Sequence, residues 1–143
     1  MTALVSTIMR SAGVRDIRTA VNGALAFSLL KDRPVDVALV DQLMDVMDGV
    51  TFTRTVRTDP ESPDAFLPIV LVSGCCESGM VRRAIDAGIN DVVIKPVAPK
   101  TLLTHIARTL LVPRPYVKTT SFFGPNRRRP AATPYNGSNR RND

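Results

Sequence analysis

The chain has 143 residues, of which 44% are hydrophobic, and its formal net charge is +6. This length and composition fit one domain with its own core and exclude a disordered protein. Because no segment approaches the roughly 20 continuous apolar residues of a membrane span and no signal-peptide pattern opens the sequence, we expect a soluble cytoplasmic protein.

The excess positive charge lies at the carboxyl end of the sequence. Residues 1–111 carry 12 Lys and Arg against 12 Asp and Glu, whereas residues 112–143 carry 7 against 1. The first segment is therefore neutral, and a basic nucleic-acid-binding face on its fold is not expected. Apolar residues are too sparse beyond Leu111 for a second core. We therefore predict a domain over residues 1–111 followed by a mostly disordered basic tail over residues 112–143.

Helical and strand patterns alternate through residues 1–111. In chain order they predict a helix over residues 4–12, a strand at Ile17–Val21, a helix over 25–30, a strand at Val35–Val40, a helix at Val50–Arg57, a strand at Pro68–Ser73, a helix over 81–85, a strand at Val92–Ile94 and a last helix at Pro99–Leu111. The nearly continuous apolar run at Val35–Val40 is typical of a parallel strand covered on both faces. The alternation predicts an α/β fold with a parallel sheet and right-handed crossovers.

A reactive polar residue follows or ends each of the last three predicted strands. These residues are Asp41, Ser73 and Lys95. Because the carboxyl ends of parallel strands converge at one edge of a sheet, we expect a carboxylate, a hydroxyl and an ammonium to share a crevice there. Each residue alone has a structural interpretation, as a turn cap, a buried hydroxyl or a solvated lysine. Together they favour a carboxylate that accepts a phosphoryl group, since this transfer depends mostly on positioning and charge neutralisation.

The motifs around these residues resemble those of a known family. They are Asp41 at its strand end, Met47-Asp48-Gly49 at the next helix start, Ser73-Gly74 and Lys95-Pro96. Over residues 1 to about 111 they resemble the CheY-like receiver domain of bacterial two-component response regulators. The resemblance implies a flavodoxin-like, doubly wound parallel sheet. It also implies a phosphoryl acceptor rather than an enzyme, with at most slow loss of its own phosphoryl group.

The resemblance assigns a role to each of the three strand-end residues. Asp41 is the expected phosphoryl acceptor, Ser73 the switch hydroxyl and Lys95 the cation that binds the phosphoryl oxygens. A histidine kinase or phosphotransfer protein is the expected donor, and a downstream protein is the expected target. No helix-turn-helix pattern is present, so we expect no DNA-binding domain. The predicted function is that of a single-domain response regulator in phosphorelay signal transduction, acting by protein–protein contact.

The sequence departs from the family at its amino end. Receivers begin with a strand that ends in two acidic residues, which hold Mg²⁺, whereas this sequence opens on the helix expected to follow. We therefore expect an amino-terminally truncated sheet with four recognisable strands. The expected metal ligands are Asp41 and the backbone carbonyl of Leu43. Since Mg²⁺ requires a nearly octahedral set of oxygens, we expect it to bind weakly.

Two alternative functions follow from these features. A receiver fold without a metal site could act as a phosphorylation-independent interaction module. The tail carries Arg127, Arg128 and Arg129, and in some receivers an arginine-rich extension binds a cyclic dinucleotide. Arginine forks suit phosphates and stack on bases, which makes these residues candidates for anion binding. A solubilising or protein-docking role is the simpler interpretation of the tail.

The remaining chemistry-bearing residues give weaker patterns. Cys75 and Cys76 are adjacent, lack a zinc-ligand spacing and are interpreted as reduced, space-filling thiols. His105, the one histidine, is expected on the polar side of the last helix and exposed to solvent. The sequence shows no serine or cysteine motif that would pair with it, so it is a weak candidate for catalysis.

Overall fold

Within the part of the chain that the structure describes, five helices flank a sheet of three parallel strands. The computed structural model describes residues 2–43, 47–74, 78–112, 115–118 and 123–125. The elements in chain order are α1 (Thr2–Ser11), α2 (Gly23–Asp32), β1 (Ala38–Asp41), α3 (Gly49–Thr58), β2 (Ile69–Ser73), α4 (Ser78–Ala87), β3 (Asp91–Ile94), α5 (Pro99–Leu111), β4 (Tyr116–Lys118) and β5 (Phe123–Pro125). The predicted fold class is confirmed, and no described helix has the length and apolar character needed to cross a membrane.

The central strand β2 pairs in parallel with β1 on one side and with β3 on the other. The register places Asp41 opposite Val72 and Ser73 opposite Ile94. All five residues of β2 are buried, as expected of a strand with a neighbour on each side and helices on each face. The three strands therefore end at one edge of the sheet, within one residue of each other.

Successive residues of β2 point to opposite faces of the sheet and enter two different hydrophobic clusters. Ile69 and Leu71 pack with residues of α3 and α4. Val70 packs in a second cluster with residues of α1 and α5. Because a strand alternates its side chains, helices on both faces require apolar residues at every position. This requirement explains the continuous apolar run in the sequence.

Local capping sets where the helices begin. The Asn22 side chain accepts a hydrogen bond from the backbone N–H of Leu25 at 2.9 Å and so caps α2. The Asp48 side chain does the same for α3 through the N–H of Thr51 at 2.8 Å. Pro99 opens α5 at a position where no backbone donor is needed. Asp48 thus ends the loop that follows β1, and Pro99 ends the loop that follows β3.

The strand predicted at Ile17–Val21 is wrong. Residues 14–20 have no regular secondary structure, and the described sheet contains only β1, β2 and β3. An apolar run becomes a strand only where a neighbouring strand supplies hydrogen-bond partners, and no described strand does so here. Ile17 instead packs against the cluster formed with α1 and α5. The sheet has three recognisable strands rather than the four predicted.

A short antiparallel hairpin, formed by β4 and β5, was not predicted from the sequence. Its Tyr116 and Phe123 rings lie 5.1 and 5.3 Å from the ring of Phe66, both in edge-to-face geometry. The Tyr116 hydroxyl donates to the Phe66 carbonyl at 2.8 Å. A Cβ atom on Gly88 would lie only 2.9 Å from the Phe123 carbonyl oxygen. The hairpin therefore lies close to the loop between α4 and β3. Part of the predicted tail therefore packs on the domain.

Arg57 joins α3 to the hairpin and to the loop before β3. Its guanidinium donates to the carbonyls of Gly88 and Ala65 at 2.9 and 3.1 Å, and to the side-chain oxygen of Asn90 at 2.9 Å. It also lies 5.2 Å from the centre of the Tyr116 ring. The side chain is buried, and this desolvation lowers the pKa of the guanidinium below its ordinary value. A planar group with several fixed donors suits this position better than a single ammonium.

We expect Arg57→Lys to lower the free energy of unfolding by about 2–3 kcal/mol, because a lysine ammonium cannot reach all three acceptors and leaves buried oxygens unsatisfied. Urea denaturation measures the change. Arg54→Lys is the matched control, since Arg54 lies on the same helix and is exposed; its effect should stay below about 0.5 kcal/mol. Equal losses in the two variants would show that the Arg57 hydrogen bonds do not stabilise the fold.

Candidate functional site

The carboxyl edge of the sheet brings Asp41 and Lys95 into direct contact. Asp41 is the last residue of β1, and Lys95 directly follows β3. The Lys95 Nζ atom lies 3.1 Å from Oδ2 and 3.3 Å from Oδ1 of Asp41. The two side chains are 22% and 30% exposed, so solvent and a ligand can reach the pair. The structure thus places this predicted carboxylate and ammonium together.

Ser73 ends the strand between the other two residues. Its side chain is buried, whereas the following Gly74 is exposed. The backbone carbonyl of Ser73 accepts a hydrogen bond from the Lys95 N–H at 2.8 Å, which ties the start of the lysine loop to the end of β2. The peptide bond between Lys95 and Pro96 is cis. The three predicted residues therefore lie on adjacent strand ends, and the contact between Asp41 and Lys95 is direct.

The loop after β1 adds a backbone donor to the carboxylate. The N–H of Leu43 donates to Asp41 Oδ1 at 3.0 Å. Among the described residues, the Lys95 ammonium and the Leu43 amide hold the Asp41 carboxylate. Metal binding by the carbonyl of Leu43 stays a prediction.

The contacts that Gln42 and Gly49 make beside Asp41 were not predicted from the sequence. Gln42 accepts hydrogen bonds from the first two N–H groups of α3, those of Gly49 and Val50, through its carbonyl and side-chain oxygens. A Cβ atom on Gly49 would lie 2.5 Å from a Leu71 methyl carbon and 3.0 Å from the Asp41 carbonyl. Glycine therefore allows α3 to begin against the end of β1. The glycine in the Met47-Asp48-Gly49 motif was a signal of this close approach, but nothing in the pattern indicated Gln42.

The donor set that the described residues place at this edge does not fit a Mg²⁺ ion. Magnesium requires about six oxygens in a nearly octahedral arrangement. Among the described residues, no three His, Cys, Asp or Glu side chains group closely enough to hold a metal. Both oxygens of Asp41 already face the Lys95 ammonium, and Oδ1 also accepts from Leu43. In this arrangement the charge next to the carboxylate is the lysine ammonium.

Several residues discussed in the sequence analysis lie outside the described residues. They are Cys75, Cys76, Arg127, Arg128 and Arg129. Anion binding by the three arginines stays a prediction.

His105 is not exposed on the polar side of α5 as predicted. Its side chain is 24% exposed, and Nδ1 lies 2.8 Å from Asp91 Oδ2. The Arg108 guanidinium donates to the same oxygen at 2.9 Å. Asp91 opens β3 at the opposite end from Lys95, so this cluster lies away from the Asp41 site. The pattern on α5 placed His105 correctly on the helix but could not indicate that a carboxylate from β3 faces it.

Opposing effects act on the pKa of Asp91. Burial, the largest single effect, raises it, but the hydrogen bonds from Arg108, His105 and the Val92 N–H, together with the charge of His105, outweigh burial and hold the pKa below its ordinary value of 3.8. The folded state therefore favours the ionised carboxylate.

The comparisons with known proteins agree with this geometry. Residues 1–107 match the family described as the response regulator receiver domain. The chemotaxis protein CheY of Bacillus subtilis (strain 168) is 30% identical over 110 residues, covering 77% of this chain and 88% of that protein. Among solved structures, CheY4 of Vibrio cholerae is 29% identical with a TM-score of 0.69, covering 76% of this chain and 88% of its own.

A third match concerns the fold alone. The receiver domain of the sensor histidine kinase PA1611 from Pseudomonas aeruginosa PAO1 is 24% identical with a TM-score of 0.66, and the alignment covers 75% of this chain and 85% of that one. That structure has a magnesium ion coordinated in its active-site cleft.

The extent of the family match and the identity to CheY establish the class of protein. This chain belongs to the response regulator receiver domain family of two-component systems. Receiver domains are generally phosphoryl acceptors rather than classical enzymes, and they interact with histidine kinases and downstream targets.

We expect Asp91→Asn to make the free energy of unfolding less dependent on pH in the acid range. Since the folded pKa of Asp91 is lowered, its contribution is fully present above the unfolded value near 3.8 and is lost as the pH falls through the folded pKa. Urea denaturation of both proteins between about pH 2 and pH 7 measures this. The difference in free energy of unfolding between the wild type and the variant should be present at about pH 5 and shrink below about pH 4. A difference that does not change with pH would contradict the hydrogen-bonded carboxylate.

Proposed function

We propose that this chain is a single-domain response regulator that accepts a phosphoryl group on Asp41 and acts by protein–protein contact. The observation that carries this proposal is the contact between the Asp41 carboxylate and the Lys95 ammonium at the carboxyl edge of the sheet. Membership of the receiver family supports it. The expected donor is a histidine kinase or phosphotransfer protein, and the expected target is a downstream protein.

In the proposed reaction, an Asp41 carboxylate oxygen forms a bond to phosphorus while the bond from phosphorus to the donor atom breaks. The donor leaves with the electron pair of that bond. Lys95 partly neutralises the phosphoryl oxygens as charge develops on them, and its loop is fixed to the end of β2.

Ser73 is proposed as the hydroxyl that responds to the new group. It ends the strand between those of Asp41 and Lys95, and its side chain is buried next to the exposed Gly74. A phosphoryl group brings acceptor oxygens to this edge, and a nearby hydroxyl is a suitable donor to them. Redirecting a buried hydroxyl provides a route from modification to a changed binding face.

A second candidate function is a phosphorylation-independent interaction module. The observation that favours it is the poor fit of the described donor set to Mg²⁺, together with the ammonium already paired with Asp41. In this case Asp41 and Lys95 act as a structural ion pair, and Asp41→Asn leaves partner binding unchanged.

Incubating the folded chain with a small-molecule phosphodonor and Mg²⁺ tests the first candidate. We expect intact-mass measurement to show the addition of one phosphoryl group and Asp41→Asn to abolish it. Lys95→Met should slow the reaction about a hundredfold or more, because the cation that meets the developing charge is lost. Asp36→Asn is the control, since Asp36 is exposed and lies outside the site, and its reaction should match the wild type.

Two outcomes would reject the first candidate. One is an unmodified wild-type chain that circular dichroism shows to be folded, which would favour the interaction module. The other is a phosphoryl group that persists on the Asp41→Asn variant, since this would place the modification elsewhere.

A further inference from the structure

Gln42 connects three elements of the structure immediately after Asp41. Its backbone N–H donates to the Val72 carbonyl of β2 at 2.9 Å. Its backbone carbonyl accepts from the N–H of Gly49 at 3.2 Å, and its side-chain oxygen accepts from the N–H of Val50 at 3.0 Å. The residue is thus attached to the central strand on one side and to the start of α3 on the other.

These contacts satisfy donors that the helix itself cannot. The first N–H groups of an α-helix have no acceptor within the helix. In α3, Gln42 accepts from the first two, at Gly49 and Val50, and the Asp48 side chain accepts from the third, at Thr51. A cap usually comes from the residue just before the helix. Here most of the capping comes from the strand end that carries Asp41.

The cap also determines the direction of the chain next to the carboxylate. Leu43 directly follows Gln42, and its N–H donates to Asp41 Oδ1 at 3.0 Å. With Gln42 fixed by β2 and by α3, the peptide group that carries this N–H has little freedom to rotate. The remaining freedom is reduced further because Gly49 lies against the Asp41 backbone.

We propose that the Gln42 side chain is a positioning residue for Asp41. By capping α3 it holds the Leu43 amide on Oδ1, so that one oxygen is fixed and the carboxylate keeps the orientation that faces Lys95. This role rests on the proposed function as a phosphoryl acceptor. Misplacing a reacting group by about 1 Å can cost about a hundredfold in rate.

Two substitutions at Gln42 remove the side-chain part of the cap, the bond to the Val50 N–H, without adding charge. Gln42→Met keeps the length of the side chain and removes the acceptor, whereas Gln42→Asn keeps the amide and retracts it by one methylene group. The matched control is Asn22→Ala, because Asn22 also caps a helix through an amide oxygen, with a 2.9 Å bond to Leu25, but does not contact Asp41. Losing either side-chain cap should lower the urea midpoint of unfolding to a similar extent, so the two kinds of variant are matched in stability.

The first measurement is the rate of phosphorylation of Asp41 by a small-molecule phosphodonor. We expect both Gln42 variants to react about ten- to a hundredfold more slowly than the wild type. The Asn22→Ala variant should react at close to the wild-type rate. Equal rates in the Gln42 variants and the wild type, or an equal slowing in Asn22→Ala, would overturn the proposal.

The second measurement does not depend on phosphorylation. A hydrogen-bonded backbone amide is protected from exchange with solvent, so hydrogen exchange followed by NMR reports the bond from the Leu43 N–H to Asp41. We expect the Leu43 amide to exchange faster in both Gln42 variants and at the wild-type rate in Asn22→Ala. A wild-type chain that is never phosphorylated would reject the proposed function alone. An unchanged exchange rate of the Leu43 amide in the Gln42 variants would overturn the positioning role.

Discussion

The Asp41–Lys95 contact depends on the register of three parallel strands. β1 and β3 are not neighbours, and β2 lies between them. Because β2 pairs with both in parallel, their carboxyl ends lie at the same edge, and a long lysine side chain can span the width of the central strand to reach a short aspartate. A shift of one residue in either ladder would turn Asp41 or its partners toward the other face of the sheet. The site is therefore a consequence of strand pairing.

Helix α3 is the second constraint on the site. Its start is fixed to the end of β1 through Gln42 and the close approach of Gly49. Its end is fixed through Arg57 to the loop before β3 and to the ring of Tyr116 in the hairpin. Both ends of one helix are thus held by hydrogen bonds to other elements. The orientation of the loop beside Asp41 and the packing of the hairpin therefore depend on the same rigid element.

The parts of the fold that follow local rules could be predicted from the sequence. Apolar runs that end in Asp41, Ser73 and Lys95 predicted the parallel strands and the edge where they meet. The strand at Ile17–Val21 was wrong because an apolar run does not reveal whether a neighbouring strand is present to pair with it. The contacts of Arg57 and His105 were missed because they join residues far apart in the sequence, and no spacing rule indicates such partners. The hairpin was missed because its strands have three residues each, too short for a pattern of alternation.

The central claim is that Asp41 and Lys95 form an ion pair across the end of β2. A double-mutant cycle with Asp41→Asn and Lys95→Met, measured as free energies of unfolding in urea at neutral pH, tests it most directly. If the pair forms as described, the two substitutions should be non-additive by at least about 0.5 kcal/mol, because each removes the same interaction. Additive effects would contradict the pair and, with it, the arrangement of the site.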